Sequence, residues 1–152
     1  MGAPGSGKST FWKNHMQSSY ERINRDTLKS MPKCIKEMER ILELKKSFVI
    51  DNTNPSKADR AQFIKVAQAN KVPIRCFYFN IPKTFALHLD SLRVTNKFRQ
   101  HLSTKVGKIA SNVFFSKIEP PSTSEGFFEV KKVNFVGIFE NDNDKNEFYK
   151  YS

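Results

Sequence analysis

The sequence predicts an α/β fold in which a mostly parallel sheet carries helices on both faces. Three observations support it. A glycine-rich segment at residues 2–10 runs directly into a helical pattern. Short apolar runs alternate with segments of helical spacing, an order typical of βαβ units. Acidic and amide residues follow two of those runs, where open parallel sheets bind ligands. The 152 residues are too few for two ordinary domains, so we expect one domain spanning residues 1–152.

The first half of the chain supplies the α/β alternation. A helix is expected over residues 8–16 and a short strand over residues 20–23. Apolar residues then recur at helical spacing over residues 32–46, which predicts a second helix. The all-apolar run at residues 48–50 is typical of a buried parallel strand.

The second half is expected to complete the sheet and to cover the site. Asn54 and Pro55 look like the cap of a third helix, and residues 74–79 like the next strand. Residues 85–116 are helical in tendency and rich in lysine and arginine, which predicts a mobile basic lid. The C-terminal tail, residues 119–152, is expected to add one further strand that packs against the domain.

The net charge and the cysteine content limit which binding partners and which cellular compartment are expected. Lysine and arginine number 26 against 15 acidic residues, a net charge of +11 that favours an anionic partner such as nucleic acid or nucleotide. A lysine-rich solvated surface would explain the same charge. Cys34 and Cys76 form neither a disulfide scaffold nor a zinc site, so an intracellular location is expected. Apolar stretches are far shorter than the roughly 20 residues of a membrane helix, so no membrane association is expected.

Residues 2–9 match the pattern G-x-x-x-x-G-K-[ST] of a phosphate-binding loop. In such a loop the glycines let backbone N–H groups surround phosphates at a helix N-terminus. Lys8 would bridge the β- and γ-phosphates, and the Ser9 hydroxyl would bind Mg²⁺. An ordinary glycine-rich turn fits less well, because the α/β order that follows is also correct. ATP and Mg²⁺ are the predicted cofactors. The predicted ATP-binding residues are Gly2, Pro4, Gly5, Ser6, Gly7, Lys8, Ser9 and Thr10.

Two aspartates follow predicted strands and are candidates for the chemistry. Asp26 could act as a general base that accepts the proton of an attacking hydroxyl. From spacing alone, an aspartate just before Thr27 and Leu28 is more often a helix cap. Asp51 follows the run at residues 48–50 and is expected to bind Mg²⁺ or its waters, with a turn aspartate as the alternative.

Five segments together carry a family resemblance. They are residues 2–11, Ile-Asn-Arg-Asp-Thr-Leu at 23–28, Ile-Asp-Asn-Thr-Asn-Pro at 50–55, Arg-Cys-Phe-Tyr-Phe at 75–79, and Ser-Glu-Gly-Phe at 124–127. The set resembles the kinase domain of the bifunctional polynucleotide phosphatase/kinase family over nearly the whole chain. Proteins of that family add a 5′-phosphate to DNA strand breaks with ATP and remove a 3′-phosphate in a separate domain.

The resemblance implies a role for several residues. Asp26 takes the position of the general base, Lys8 that of the phosphate-binding lysine and Arg93 that of a lid arginine. Arg25 and Lys29 are expected to contact the substrate, which would be a nucleic acid 5′-hydroxyl end, DNA rather than RNA. A monomer, a nuclear location and a phosphatase domain in the full-length protein are also implied. The segment 93–113 looks longer than is usual in the family, and 114–119 looks shorter.

Other interpretations stay open at this stage. A P-loop kinase for a small molecule or nucleoside is one, and an inactive module that binds nucleic acid ends is another. The P-loop pattern also predicts a central strand immediately before the loop, where only Met1 stands. We therefore expect the chain to be a fragment or an incomplete gene model of a longer protein and, as given, a weak or inactive kinase. In that case the sheet would have two unpaired edges, the loop would lose its anchor, and stability would be marginal.

Overall fold

The computed structural model describes residues 1–95, 108–137 and 141–150, without the side chains of residues 93–95, 144, 147 and 150. Its helices and strands alternate as predicted. In chain order they are α1 (Lys8–His15), β1 (Glu21–Ile23), α2 (Arg25–Leu28), α3 (Met31–Glu43), β2 (Phe48–Ile50), α4 (Lys57–Ala69), β3 (Arg75–Phe79), α5 (Lys83–Thr95), α6 (Lys108–Lys117), a 3₁₀ turn (Thr123–Glu125), β4 (Glu129–Val133) and α7 (Asp142–Lys150).

Side-chain caps decide where several helices begin. Ser30 accepts a hydrogen bond from the Lys33 backbone and opens α3. Ser56 and Asp59 form a capping box at the start of α4, so the expectation that Asn54 and Pro55 begin this helix was wrong. The short helix α2 and the C-terminal α7 were not predicted, whereas the further strand expected in the tail is β4. Of the predicted lid, α5 and α6 are described and residues 96–107 lie outside the described residues.

The strands pair in two separate parallel ladders. β1 pairs with β2, with Ile23 opposite Ile50, and β3 pairs with β4, with Cys76 opposite Val130. Parallel pairing with helical connections confirms the predicted α/β class. Within the described residues, no ladder joins β2 to β3.

A cavity of about 790 Å³ lies between β2 and β3. At one end, the Met1 nitrogen donates to the Phe77 carbonyl at 2.6 Å, and the Phe79 N–H donates to the Met1 carbonyl at 3.0 Å. The Gly2 N–H donates to the Thr53 carbonyl at 3.2 Å. Met1 and Gly2 thus lie between the two ladders, bonded to β3 on one side and to Thr53, which follows β2, on the other. The loop is anchored to both, contrary to the expectation that it would lose its anchor.

Three clusters of buried side chains make up the core. One lies between β1, α3 and α4 and contains Ile23, Met38 and Phe63. A second packs Ala3 of the loop against Ala86 of α5 and neighbouring helices. The third joins α4 to β3 and the segment after the 3₁₀ turn. No helix in the described ranges is long and apolar enough to cross a bilayer.

Candidate active site

The loop before α1 has the backbone that its glycines allow. Gly7 precedes α1 with φ of 88°, a left-handed conformation that other residues rarely adopt. At Gly2, a Cβ atom would lie 2.7 Å from the Phe79 Cβ and 2.9 Å from the Phe79 carbonyl oxygen. A larger residue would therefore separate the loop from β3. The geometry requires glycine at both positions: at Gly7 because φ is positive, and at Gly2 because Phe79 approaches closely.

The polar side chains of the loop face its interior. The Ser6 side chain is buried, and its hydroxyl has no hydrogen-bond partner in the described part of the chain. The Lys8 ammonium donates to the carbonyls of Gly2 and Ala3 at 3.0 and 2.7 Å. Pro4 is buried, whereas Thr10 on α1 is exposed. An unsatisfied buried hydroxyl and a lysine folded over the loop fit a site that exchanges these contacts for phosphate oxygens.

Two asparagines hold the carboxyl ends of β1 and β2 together. The Asn24 side chain donates to the Asp51 carbonyl at 2.7 Å, and the Arg25 N–H donates to the Asn52 side chain at 2.8 Å. Asn24 also accepts a hydrogen bond from the Thr27 N–H and so caps α2. These reciprocal bonds explain why both strands end in asparagine-containing motifs.

Asp51 and Ser9, the two predicted magnesium ligands, lie within hydrogen-bonding distance of each other. The Ser9 hydroxyl donates to Asp51 Oδ2 at 2.8 Å, and the Asp51 side chain is almost fully buried. Arg22 of β1 donates to the same carboxylate oxygen through Nε at 2.9 Å. This pairing brings the first turn of α1 against the end of β2. Arg22 was missed by sequence reasoning, because a lone arginine in a strand has no distinctive spacing.

Asp26 lies in the first turn of α2 and is exposed. Because Asn24 caps this helix, the alternative that Asp26 is the cap was wrong. Arg25 and Lys29 are exposed on either side of it, with Lys29 ending the helix at φ of 70°. Through the bond from Asn24 to Asp51, α2 starts beside the carboxyl end of β2. The predicted substrate contacts and base thus share one short helix at the predicted edge of the sheet.

The predicted lid arginine belongs to the helix that follows β3. Arg93 lies on α5, but its side chain is outside the described residues. α5 itself packs against the loop, because a Cβ on Gly5 would lie 3.4 Å from the Ala86 carbonyl. The role of Arg93 stays a prediction.

A buried ion pair between α4 and the 3₁₀ turn stabilises the segment next to the site. Arg60 of α4 donates to both carboxylate oxygens of Glu125 at 2.7 and 2.8 Å, and both side chains are buried. Arg60 also donates to the carbonyls of Asn54 and Pro55 at 3.2 and 3.0 Å. It therefore joins the 3₁₀ turn to the segment that follows Asp51. Sequence reasoning noticed the Ser-Glu-Gly-Phe motif but not this function for it.

Glu125→Ala is expected to lower the free energy of unfolding by about 3–5 kcal/mol, because it leaves Arg60 buried without its counter-charge. The matched control is Glu37→Ala, which breaks a similar two-bond pair with Arg40 on the exposed face of α3 and should cost less than about 1 kcal/mol. Urea unfolding of both variants measures the difference. Equal losses would contradict a structural role for the buried pair.

The pair of Arg60 and Glu125 is expected to make the stability of the protein depend on pH. Burial alone would raise the pKa of Glu125, but hydrogen bonds from Arg60 and the Ser122 N–H outweigh it and lower the pKa. A lowered pKa means that this stabilisation is present above the unfolded-state value of about 4.3 and is lost as pH falls through the folded-state value. The difference between wild type and Glu125→Ala should therefore shrink in acid.

Comparison with known proteins agrees with this geometry. The profile of the AAA domain matches residues 1–108. The chain belongs to this P-loop family. It is also 36% identical over 151 residues to the bifunctional polynucleotide phosphatase/kinase of Schizosaccharomyces pombe. A protein of Acanthamoeba polyphaga mimivirus, whose name gives the same two activities provisionally, is 33% identical over 157 residues. These matches cover 99% and 100% of the chain but 36% and 37% of the relatives.

Proposed function

We propose that the protein transfers the γ-phosphoryl group of ATP to the 5′-hydroxyl end of a polynucleotide. The observation that carries the proposal is the joining of the phosphate loop to the sheet edge through Ser9 and Asp51, at 2.8 Å. Similarity to proteins named polynucleotide phosphatase/kinase along the whole chain supports the substrate class. DNA as the preferred polymer, a role in strand-break repair and a nuclear location belong to the same proposal.

The loop residues would bind and orient the triphosphate. Backbone N–H groups at the start of α1 point toward an anion, and the helix dipole favours negative charge there. Lys8 would leave the Gly2 and Ala3 carbonyls for phosphate oxygens, where its charge opposes the charge of the transferring group. The Ser6 hydroxyl would gain the partner that it lacks within the described residues.

Ser9 and Asp51 fit a magnesium ion by the chemistry of their donors. Both offer oxygen, and Mg²⁺ in such sites relies on one or two protein oxygens together with phosphates and waters. The described residues contain no group of three or more His, Cys, Asp or Glu side chains that could hold a metal by themselves. Bound Mg²⁺ would neutralise phosphate charge.

Asp26 would accept the proton of the 5′-hydroxyl. The carboxylate is exposed on α2, and the capping of that helix by Asn24 leaves it available for the reaction. Arg25 and Lys29 on the same helix would contact the phosphates of the polynucleotide, and Arg93 would neutralise charge on the transferring phosphoryl group. The net charge of +11 favours such a polyanion.

Asp26→Asn should lower turnover of a 5′-hydroxyl oligonucleotide by about 10² or more, because the amide cannot accept the proton. Folding and ATP binding should survive, because α2 keeps its Asn24 cap. The matched control is Asp59→Asn, which alters the capping box of α4 and should affect stability rather than turnover. Turnover is measured by transfer of labelled phosphate. Normal turnover by Asp26→Asn would remove this residue from the mechanism.

One assay separates the proposal from its rivals. Purified protein is given ATP with a 5′-hydroxyl DNA oligonucleotide, an RNA of the same sequence, free nucleosides or small alcohols. Preferential ATP consumption with the DNA oligonucleotide supports the proposal. Consumption with nucleosides or alcohols alone would indicate a small-molecule kinase. Oligonucleotide binding without any turnover would indicate a binding module.

A further inference from the structure

Arg22 occupies a position beside the proposed metal-binding oxygens. Alternate side chains of a strand point to opposite faces. On β1, Ile23 is fully buried in the core, and Arg22 instead contacts the first turns of α1. Its guanidinium carbon lies 4.9 Å from the centre of the Trp12 ring. None of the roles proposed above uses this arginine.

The guanidinium bonds to one oxygen of each proposed metal-binding residue, Asp51 Oδ2 and the Ser9 hydroxyl. Arg22 donates to Asp51 Oδ2 through Nε at 2.9 Å and through a terminal nitrogen at 2.5 Å. The same terminal nitrogen donates to the Ser9 hydroxyl at 2.9 Å. A divalent cation on Ser9 and Asp51 would stand within a few ångströms of this charge, where like charges repel strongly. A bound cation and the guanidinium would therefore compete for these oxygens.

The side chains of Asp51 and Arg22 are buried to different extents. The Asp51 side chain is 4% exposed, so the carboxylate needs a positive partner at all times. The Arg22 side chain is 31% exposed, so its charge can move toward water without a large desolvation change. Because the buried carboxylate needs a positive partner, only another cation can replace Arg22 on Asp51.

We propose that Arg22 is a resident counter-ion of Asp51 that Mg²⁺ displaces when the metal and nucleotide bind. Arg22 therefore lowers the affinity for Mg²⁺ and holds the Ser9 and Asp51 pair in place before the metal arrives. This inference rests on the proposed function, because it takes Ser9 and Asp51 as the metal site.

The test titrates Mg²⁺ into the protein saturated with a non-hydrolysable ATP analogue and follows binding by calorimetry. Arg22→Met keeps an unbranched stem, although a shorter one, and removes the charge together with the forked donors. It should bind Mg²⁺ about tenfold more tightly than wild type, equivalent to about 1.4 kcal/mol. The matched control is Arg75→Met. Arg75 is also a strand arginine over an aromatic ring, 5.9 Å from Phe128, and pairs with Glu129.

A second readout does not depend on activity. Trp12 is the one tryptophan in the sequence, and Arg22 lies over its ring. With the analogue already bound, Mg²⁺ should change Trp12 emission in wild type and in Arg75→Met as the guanidinium departs. Arg22→Met should show no such metal-dependent change. The analogue without metal controls for the effect of the nucleotide.

The outcomes separate the two proposals. Equal or weaker Mg²⁺ binding by Arg22→Met than by wild type overturns the counter-ion role while leaving the proposed function intact. Absence of Mg²⁺ binding in every variant overturns both. If circular dichroism shows that Arg22→Met is unfolded, Arg22→Lys replaces it. Lysine keeps the charge but not the forked contact, so intermediate Mg²⁺ affinity is expected and wild-type affinity would contradict the proposal.

Discussion

Lys8→Ala is expected to reduce the transfer of phosphate to a 5′-hydroxyl oligonucleotide by about 10² to 10³, the loss typical of one preorganised contact to developing charge. The ammonium already lies over the loop, 2.7 Å from the Ala3 carbonyl, so phosphates would meet it without large rearrangement. Transfer of labelled phosphate at saturating ATP measures the effect.

The matched control for this variant is Lys13→Ala, which removes an exposed lysine from the last turn of the same helix. It should retain nearly full turnover. Circular dichroism and urea unfolding of both variants establish that the comparison is between folded proteins. Substantial turnover by folded Lys8→Ala would refute the assignment of residues 2–9 as the phosphate-binding loop.

A five-residue strand rich in valine and isoleucine, joined ahead of Met1, is expected to stabilise the protein by on the order of 5 kcal/mol. The segment would extend the line of Met1 into the cavity between β2 and β3. Each buried apolar side chain contributes roughly 1.5–3 kcal/mol, and ordering each residue costs about 1–2 kcal/mol. Thermal and urea unfolding measure the gain.

The lining of the cavity makes this expectation specific to an apolar strand. Its walls include Phe48 and Ile50 on one side and Cys76, Phe77 and Phe127 on the other. The matched control is an extension of equal length made of serine, glycine and asparagine, which cannot fill the space with apolar groups. Equal melting temperatures for the two extended proteins would show that the cavity does not accept a strand.

Local sequence determined most of the order of the elements. The phosphate loop was identified from its own residues, because Gly7 must adopt a positive φ and only a few residue types can surround phosphates with backbone N–H groups. The run at residues 48–50 predicted β2, and helical periodicity predicted α3 and α4, because apolar spacing follows directly from the geometry of each element. The predicted start of α4 was wrong, because Ser56 caps this helix and Asn54 and Pro55 do not.

Contacts between distant residues lay beyond such reasoning. The pairing of Arg60 with Glu125 joins residues 65 positions apart, and that of Arg22 with Asp51 joins residues 29 positions apart. Neither arginine stands out in its own segment. α7 was missed because its polar sequence has no apolar stripe, and its Phe148 packs against Phe85, His88 and Phe135.

The sequence by itself determined the α/β class, the phosphate loop and the placement of Asp26 and Asp51 after strands, since each depends on residues close together in the chain. Only the tertiary structure decided which charged side chains pair with one another. It assigned the cap of α2 to Asn24, placed Arg22 on the carboxylate predicted to hold a metal, and separated the sheet by a cavity between β2 and β3. Those outcomes depend on how distant segments pack. A charge that packing buries is unfavourable unless an opposite charge and hydrogen bonds compensate it.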